Sequence, residues 1–217
     1  MEDSIITILV NGFWETIAMT FISCFFGYLI GLPVGVFLFL TKKGKPLANP
    51  ATNAILGFVV NVSRSIPFII LIVWMIPFTR TVVGTSIGVQ AALVPLSLGV
   101  APFIARLTES SLMEVPNGLL EVGQSMGASA WELTKNILLP EALPSIVQNI
   151  TITLITLVGY SAMGGAVGAG GLGQIGYQYG YIGYDSTIMN SVIVILIVLV
   201  ILIQALGDLI AKKLNKR

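Results

Sequence analysis

The chain has 217 residues, of which 55% are hydrophobic and only 10% charged, with a net charge of +1, no histidine and one cysteine. A soluble domain carries about 25% charged residues, so the composition excludes one and implies an all-α integral membrane protein, while the near-neutral balance gives no field for nucleic acid. Zinc sites, intrachain disulfides and His-based general-base catalysis are excluded as well, and no catalytic or metal-ligating residue is assigned.

Crossing about 30 Å of hydrocarbon at 1.5 Å per residue takes about 20 apolar residues. Five segments meet that requirement, at about 14–40, 55–79, 85–105, 146–166 and 187–209, and the chain 1–217 reads as a single transmembrane domain. Glu2 and Asp3 stand where a signal peptide has Lys or Arg, so the first span is expected to be retained. That span is longer than required, which implies tilt, a kink at Pro33 or protrusion. Trp14 and Glu15 suit an outer interface, and Cys24 reads as a small packing residue. Gly27-x3-Gly31-x3-Gly35 forms a small-residue ridge that admits another helix closely, within the subunit in preference to a dimer seam.

In the second span Arg64 precedes Ser65-Ile66-Pro67, and Pro77 lies near the far end. A mid-membrane arginine costs about 3 kcal/mol. Arg64 lies nearer one side, where it can snorkel or line a cavity, so Arg64 and Pro67 are candidates for a gating or a structural role. Pro95 and Pro102 make the third span a candidate for irregular backbone.

Orientation follows from Lys and Arg. Lys42, Lys43 and Lys45 come after span one, Arg106 and Lys135 lie between spans three and four, and Lys212, Lys213, Lys216 and Arg217 end the chain. The alternate loops hold only Arg80 beside Asp185, Glu2 and Asp3. The positive-inside rule then puts the N-terminus outside and the C-terminus in the cytoplasm, with short cytoplasmic helices between spans three and four.

Those helices occupy a polar island, Glu121 to Pro140. Pro116 suits a first helical turn, and Leu119, Val122 and Met126 recur on one apolar stripe. Glu121 sits early, where a carboxylate complements the macrodipole. Gly127 is placed to stop the helix in a left-handed conformation. Ser129-x-x-Glu132 is a capping box for a second helix, with Leu133 and Ile137 one turn apart and Pro140 and Pro144 beyond. Two readings fit: a rigid hairpin docking on a soluble partner, or an amphipathic hairpin on the membrane surface.

Between Met163 and Tyr184 the chain is glycine-rich and carries Tyr177, Tyr179, Tyr181 and Tyr184. An irregular outer loop, packed on itself or mobile, is expected, with the tyrosines in an aromatic belt. Gly168-x-Gly170-x-x-Gly173 comes after a span rather than a strand and lacks the downstream acid, so it is no dinucleotide fingerprint. Gly44-Lys45-Pro46 lacks the spacing and the Ser/Thr of a Walker A motif.

Glu121-x5-Gly127-x9-Ile137-x-Leu139-Pro140 resembles the EAA loop of binding-protein-dependent ABC importer permeases, the segment that couples to an ATPase subunit. Val122 and Gly123 depart from the alanines usual there. The likeness covers nearly the whole chain: Arg64 to Ile70, Trp74 to Arg80 and Gly159 to Tyr177 are similar to the methionine-importing branch of that family. The resemblance implies a compact five-span, multi-pass permease in the bacterial cytoplasmic (inner) membrane, moving methionine inward by alternating access. It further implies a second copy of the chain, two cytoplasmic ATP-binding subunits carrying ATP and Mg, an extracytoplasmic methionine-binding lipoprotein, surrounding membrane lipid, and no cofactor on this chain. Coupling residues carried over or read from the island are Leu119, Glu121, Val122, Gly123, Met126, Gly127, Ile137, Leu139 and Pro140. A substrate pathway is expected around Gly99, Pro102, Tyr160, Ser161 and Met163.

Three alternatives stand beside this: a permease for another small amino acid, an ATP-independent secondary transporter or channel, and a membrane scaffold. An ion-coupled transporter calls for intramembrane acids, whereas Glu15 and Asp208 lie near span ends.

Overall fold

A computed structural model describes residues 2–214, with side chains from residue 5 onward. The described residues are helical throughout their regular structure: α1 (Glu2–Leu40), α2 (Pro50–Ser65), α3 (Phe68–Trp74), α4 (Ile76–Val83), α5 (Val89–Met113), α6 (Asn117–Ser125), α7 (Ala130–Leu133), α8 (Leu139–Glu141), α9 (Leu143–Gly165), α10 (Gly171–Ile175) and α11 (Ser186–Leu214). π-Helical turns span Thr134–Leu138 and Gly176–Ile182.

The glycine ridge sets the centre. A Cβ on Gly27 would press on Val100, one on Gly31 on the Ala101 carbonyl oxygen, and one on Gly35 on the Ala105 carbonyl oxygen. The contacts rise together in both helices, so α1 and α5 run parallel, backbone against backbone, within one chain. Lipid tails are as apolar as leucine, so such pairs are held by close packing rather than by exclusion from water. Met19, Leu96, Val100, Ile104 and Leu157 fill the core around the seam.

A parallel pair needs a return crossing. Among the described residues four helices are long and apolar enough to span, Ile5–Leu40, Val89–Met113, Leu143–Gly165 and Ser186–Leu214; α2 and α3, bent by 95° from each other, make a fifth if the pair is counted as one span. The continuous span expected at 55–79 is therefore broken. The cause is Pro67, which pushes its predecessor out of the helical region: Ile66 has φ −79° and ψ 120°. α4 ends on Gly84 with φ +83°. Gly57 faces Arg106, Phe68 faces Gly99, and Ile76 and Thr79 share a small cavity with Ala91 and Ala92. The broken segment thus runs antiparallel to α5.

α9 returns against α5, with Asn149 Nδ2 donating to the Leu107 carbonyl at 3.1 Å and to Ser111 Oγ at 2.6 Å. α11 then runs back along α9, Gly207 seated on Thr151. Consequently the 41–49 loop, the 114–142 segment and the end of α11 share one end of the bundle. Lys42, Lys43, Lys45, Lys135, Lys212 and Lys213 collect there.

Other expectations change too: Pro95 and Pro102 lie inside one continuous helix, not in irregular backbone. α5 continues to Met113 rather than ending near 105, because its charged residues are neutralised in place. The glycine-rich stretch is mostly helical, not an irregular loop: after a short break, α10 and the π-helical turn fold back so that Gly165 meets the Gly173–Gln174 backbone and Gly173 meets Ala162. Its tyrosines are exposed, as a belt requires.

Candidate coupling surface and membrane cleft

At the charged end, α6 and α7 form the hairpin read from the sequence. Pro116 takes the N-cap position (φ −58°, ψ 130°), one residue outside the first turn expected for it. Gly127 has φ +80°, with its N–H donating to Gln124 O at 2.9 Å and the Ala128 N–H to Gly123 O at 3.1 Å. This left-handed stop satisfies carbonyls that a straight helix end leaves bare. The capping box is complete: Ser129 N–H donates to Glu132 Oε2 at 2.8 Å, and Glu132 N–H to Ser129 Oγ at 3.3 Å. Bonds from the Ser129 backbone, then its hydroxyl, hold the Glu132 carboxyl below its usual range.

The hairpin has two unlike faces. Leu120, Leu133 and Leu138 are buried, and Leu120 and Leu138 pack with Phe39, Leu112 and Ile146 from the ends of α1, α5 and α9 and with Val115 from the α5–α6 connection. Outward stand Leu119 (41% exposed), Val122 (60%) and Met126 (82%). Trp131, 71% exposed, joins them; the sequence reading passes over it, although an aromatic residue in a capped surface helix is a usable signal. Gly123 and Ile137 face inward: a Cβ on Gly123 would lie 2.5 Å from Leu133 Cδ2 and 2.9 Å from Ile137 Cδ1. Leu139 is half-buried, while Glu121 and Pro140 are exposed. Pro140 has no N–H to continue the ladder, and the preceding turn widens, Leu139 N–H reaching Thr134 O five residues back.

Two polar ties fasten this end. Lys45 Nζ donates to Asn117 Oδ1 at 2.6 Å and lies 4.6 Å from the centroid of Phe39. Glu109, 4% exposed, receives Lys42 at 2.9 Å and Arg106 at 2.6 Å. Arg106 also donates to Gly57 O at 3.0 Å and Asn61 Oδ1 at 2.9 Å. A buried carboxylate needs such partners, and this one, with Arg106, joins the 41–49 loop, α2 and α5. Its signal in the sequence is the Arg106-x-x-Glu109 spacing.

The pathway candidates separate in space. Arg64, Gly99 and Tyr160 line one cleft of about 200 Å³ together with Phe68 and Phe103. Phe68 and Tyr160 stack with centroids 4.3 Å apart, and the Arg64 guanidinium lies 5.8 Å from the centroid of Phe103. Pro67 takes the N-cap position of α3. Ser161 is buried and donates to Val158 O of its own helix at 2.8 Å. Met163 is exposed on the outside of α9, and Pro102 is half-buried in α5. Among the described residues no group of three or more Asp, Glu, Cys or His could hold a metal ion.

The chain is thus a bundle of membrane-length helices, one of them paired across a 95° bend, with a capped helical hairpin at its charged end. Residues 31–217 match the model for the binding-protein-dependent transport system inner membrane component, and the chain belongs to that family. It is 60% identical over 165 residues, 76% of each chain, to the Escherichia coli K12 D-methionine transport system permease protein MetI. To the probable D-methionine permease of Vibrio cholerae it is 50% identical over 210 residues, covering 97% of this chain and 93% of that one. A subunit from inward-facing conformations of the MetNI methionine ABC transporter superposes with TM-score 0.98, 60% identity and full coverage of both chains. An amino acid ABC transporter, at 18% identity, TM-score 0.76 and coverage of 95% and 94%, shares the fold.

Proposed function

We propose that this chain is the membrane-spanning permease subunit of an ATP-driven importer, and that it moves methionine from an extracytoplasmic binding protein to the cytoplasm by alternating access. Residues 1–217 act as one transmembrane domain, crossing five times with the N-terminus outside. The end bearing the lysines and the hairpin is then cytoplasmic. The partners are a second copy of the chain, two ATP-binding subunits that carry ATP and Mg, a methionine-binding lipoprotein and membrane lipid.

The observation that carries coupling is the two-faced hairpin. Leu119, Val122, Met126 and Trp131 offer an apolar docking face, and the opposite face is packed onto three membrane helices. A push on the outer face therefore moves the ends of α1, α5 and α9 together. Glu121 and Pro140 border the docking face, Gly127 sets its angle, and Gly123, Ile137 and Leu139 support it from beneath. Methionine as the substrate is supported by the relatives' names and by identity that extends over nearly the full length.

The reading is tested in vesicles containing the chain, its ATPase and its binding protein. Radiolabelled methionine should accumulate with ATP and not without it. Uptake driven by an ion gradient alone would instead assign a secondary transporter.

A further inference from the structure

We propose that the cleft beside the broken crossing is a transient binding subsite for an α-amino acid, with Arg64 reading the carboxylate. The inference rests on the import function proposed above. Two arginines sit on the facing elements α2 and α5, and they differ in one respect. The guanidinium of Arg106 is committed to Glu109, Gly57 and Asn61. Arg64, among the described residues, pairs with no carboxylate, and its ring contact is the face of Phe103. A guanidinium held over an aromatic ring keeps its planar fork of donors free for a two-oxygen anion.

The rest of the cleft fits the side chain of an apolar amino acid. Phe68, stacked flat on Tyr160, and Phe103 supply aromatic surface, which suits an unbranched aliphatic or thioether chain. Gly99 lets α3 approach: a Cβ there would lie 2.9 Å from Leu71 Cδ2 and 3.4 Å from the Phe68 ring. The volume of about 200 Å³ matches one amino acid rather than a peptide. No acidic residue lines the cleft, so it favours the carboxylate end over the ammonium end. Because Arg64 lies in the last turn of α2, just before the 95° bend, a ligand held there touches the segment that must rearrange for passage. With a single charge reading the ligand, the site stays weak, as a pathway requires.

The test uses the whole transporter in vesicles, with a photoactivatable diazirine analogue of methionine as probe. Labelling is expected on peptides carrying Phe68, Phe103 or Tyr160, competed by excess methionine and not by methioninol, which lacks the carboxylate. Arg64→Gln should lower the methionine moved per ATP hydrolysed by about tenfold, the loss expected from one charge-assisted contact, and Arg64→Lys should recover part of it. Labelling confined to other segments overturns the subsite, as does wild-type methionine per ATP in Arg64→Gln. Loss of ATPase binding in step with transport would make Arg64 a structural residue and overturns it too. If the wild-type transporter takes up no methionine with ATP, the import reading itself fails; a failed subsite with intact uptake leaves that reading standing.

Discussion

The α1–α5 seam and the 116–142 hairpin both depend on glycine, for opposite reasons. In the seam, Gly31 and Gly35 have ordinary helical backbone and are needed for space: a Cβ on Gly31 would sit 2.5 Å from a backbone carbonyl oxygen. In the hairpin, Gly127 has nothing within 4 Å of where its Cβ would be and is needed for its φ of +80°. The seam tolerates no added volume, because neither helix can move without the other. The hairpin leaves volume free and restricts direction. The first property suits a fixed axis of the bundle, the second a lever attached to it.

The largest effect should come from Gly31→Val. Its side chain meets the Ala101 carbonyl oxygen and Ile104, so relief requires separating two helices. The cost should exceed about 3 kcal/mol, and size-exclusion chromatography in detergent should show loss of the monodisperse protein. A folded, transporting Gly31→Val protein would mean that the seam is no more rigid than the hairpin.

Next comes Met126→Asp on the lever. At 82% exposure the carboxylate costs the isolated chain almost nothing, but it places a charge in an apolar docking face. ATPase-subunit retention should weaken by more than about tenfold, or about 1.4 kcal/mol, while the melting temperature of the subunit alone is unchanged. Full retention would remove the docking role from the stripe.

How much of this contrast is legible in the sequence varies with the kind of signal. The hairpin is legible because caps are local chemistry: Gly127, Ser129 and Glu132 act on residues within one turn of themselves. The seam's spacing is legible too, but not its partner, since the ridge at 27–35 says nothing about which helix approaches. The break at Ile66–Pro67 is present as a proline signal, yet hydropathy carries a single span across it. The extension of α5 is hidden for the converse reason. Arg106 and Glu109 read as the end of an apolar run, whereas they pair with each other and with Lys42 and the helix continues. The glycine-rich 164–183 stretch looks irregular when low helix propensity is weighed without the close crossing of Gly165 and Gly173 that outweighs it.

Gly127→Ala isolates direction from volume. With open space around the new methyl group, its cost is the left-handed backbone alone, about 1–2 kcal/mol. The variant should keep its fold, melt slightly lower, and transmit less of the ATPase cycle into transport, read as methionine moved per ATP. An unchanged ratio would mean that the angle between α6 and α7 does not matter to coupling.

The smallest effect is expected at Gly123, which shares features of both regions. Like the seam glycines it is helical and crowded, with a Cβ site 2.5 Å from Leu133 Cδ2 and 2.9 Å from Ile137 Cδ1. Unlike them it faces only the ends of side chains, which can turn aside by a rotamer change while the backbone stays in place. Replacing glycine by alanine inside a helix also gains about 1 kcal/mol of propensity, which offsets the repacking of Leu133 and Ile137. Gly123→Ala should therefore stay within about 1 kcal/mol of wild type in thermal stability. With Val122, this is one of the two positions where the resembled EAA loop has alanine, so the hairpin should accept it without loss of ATPase binding. A destabilisation as large as that of Gly31→Val would show that Leu133 and Ile137 are held as firmly as the α5 backbone, and the hairpin would then be an extension of the rigid seam instead of a lever attached to it.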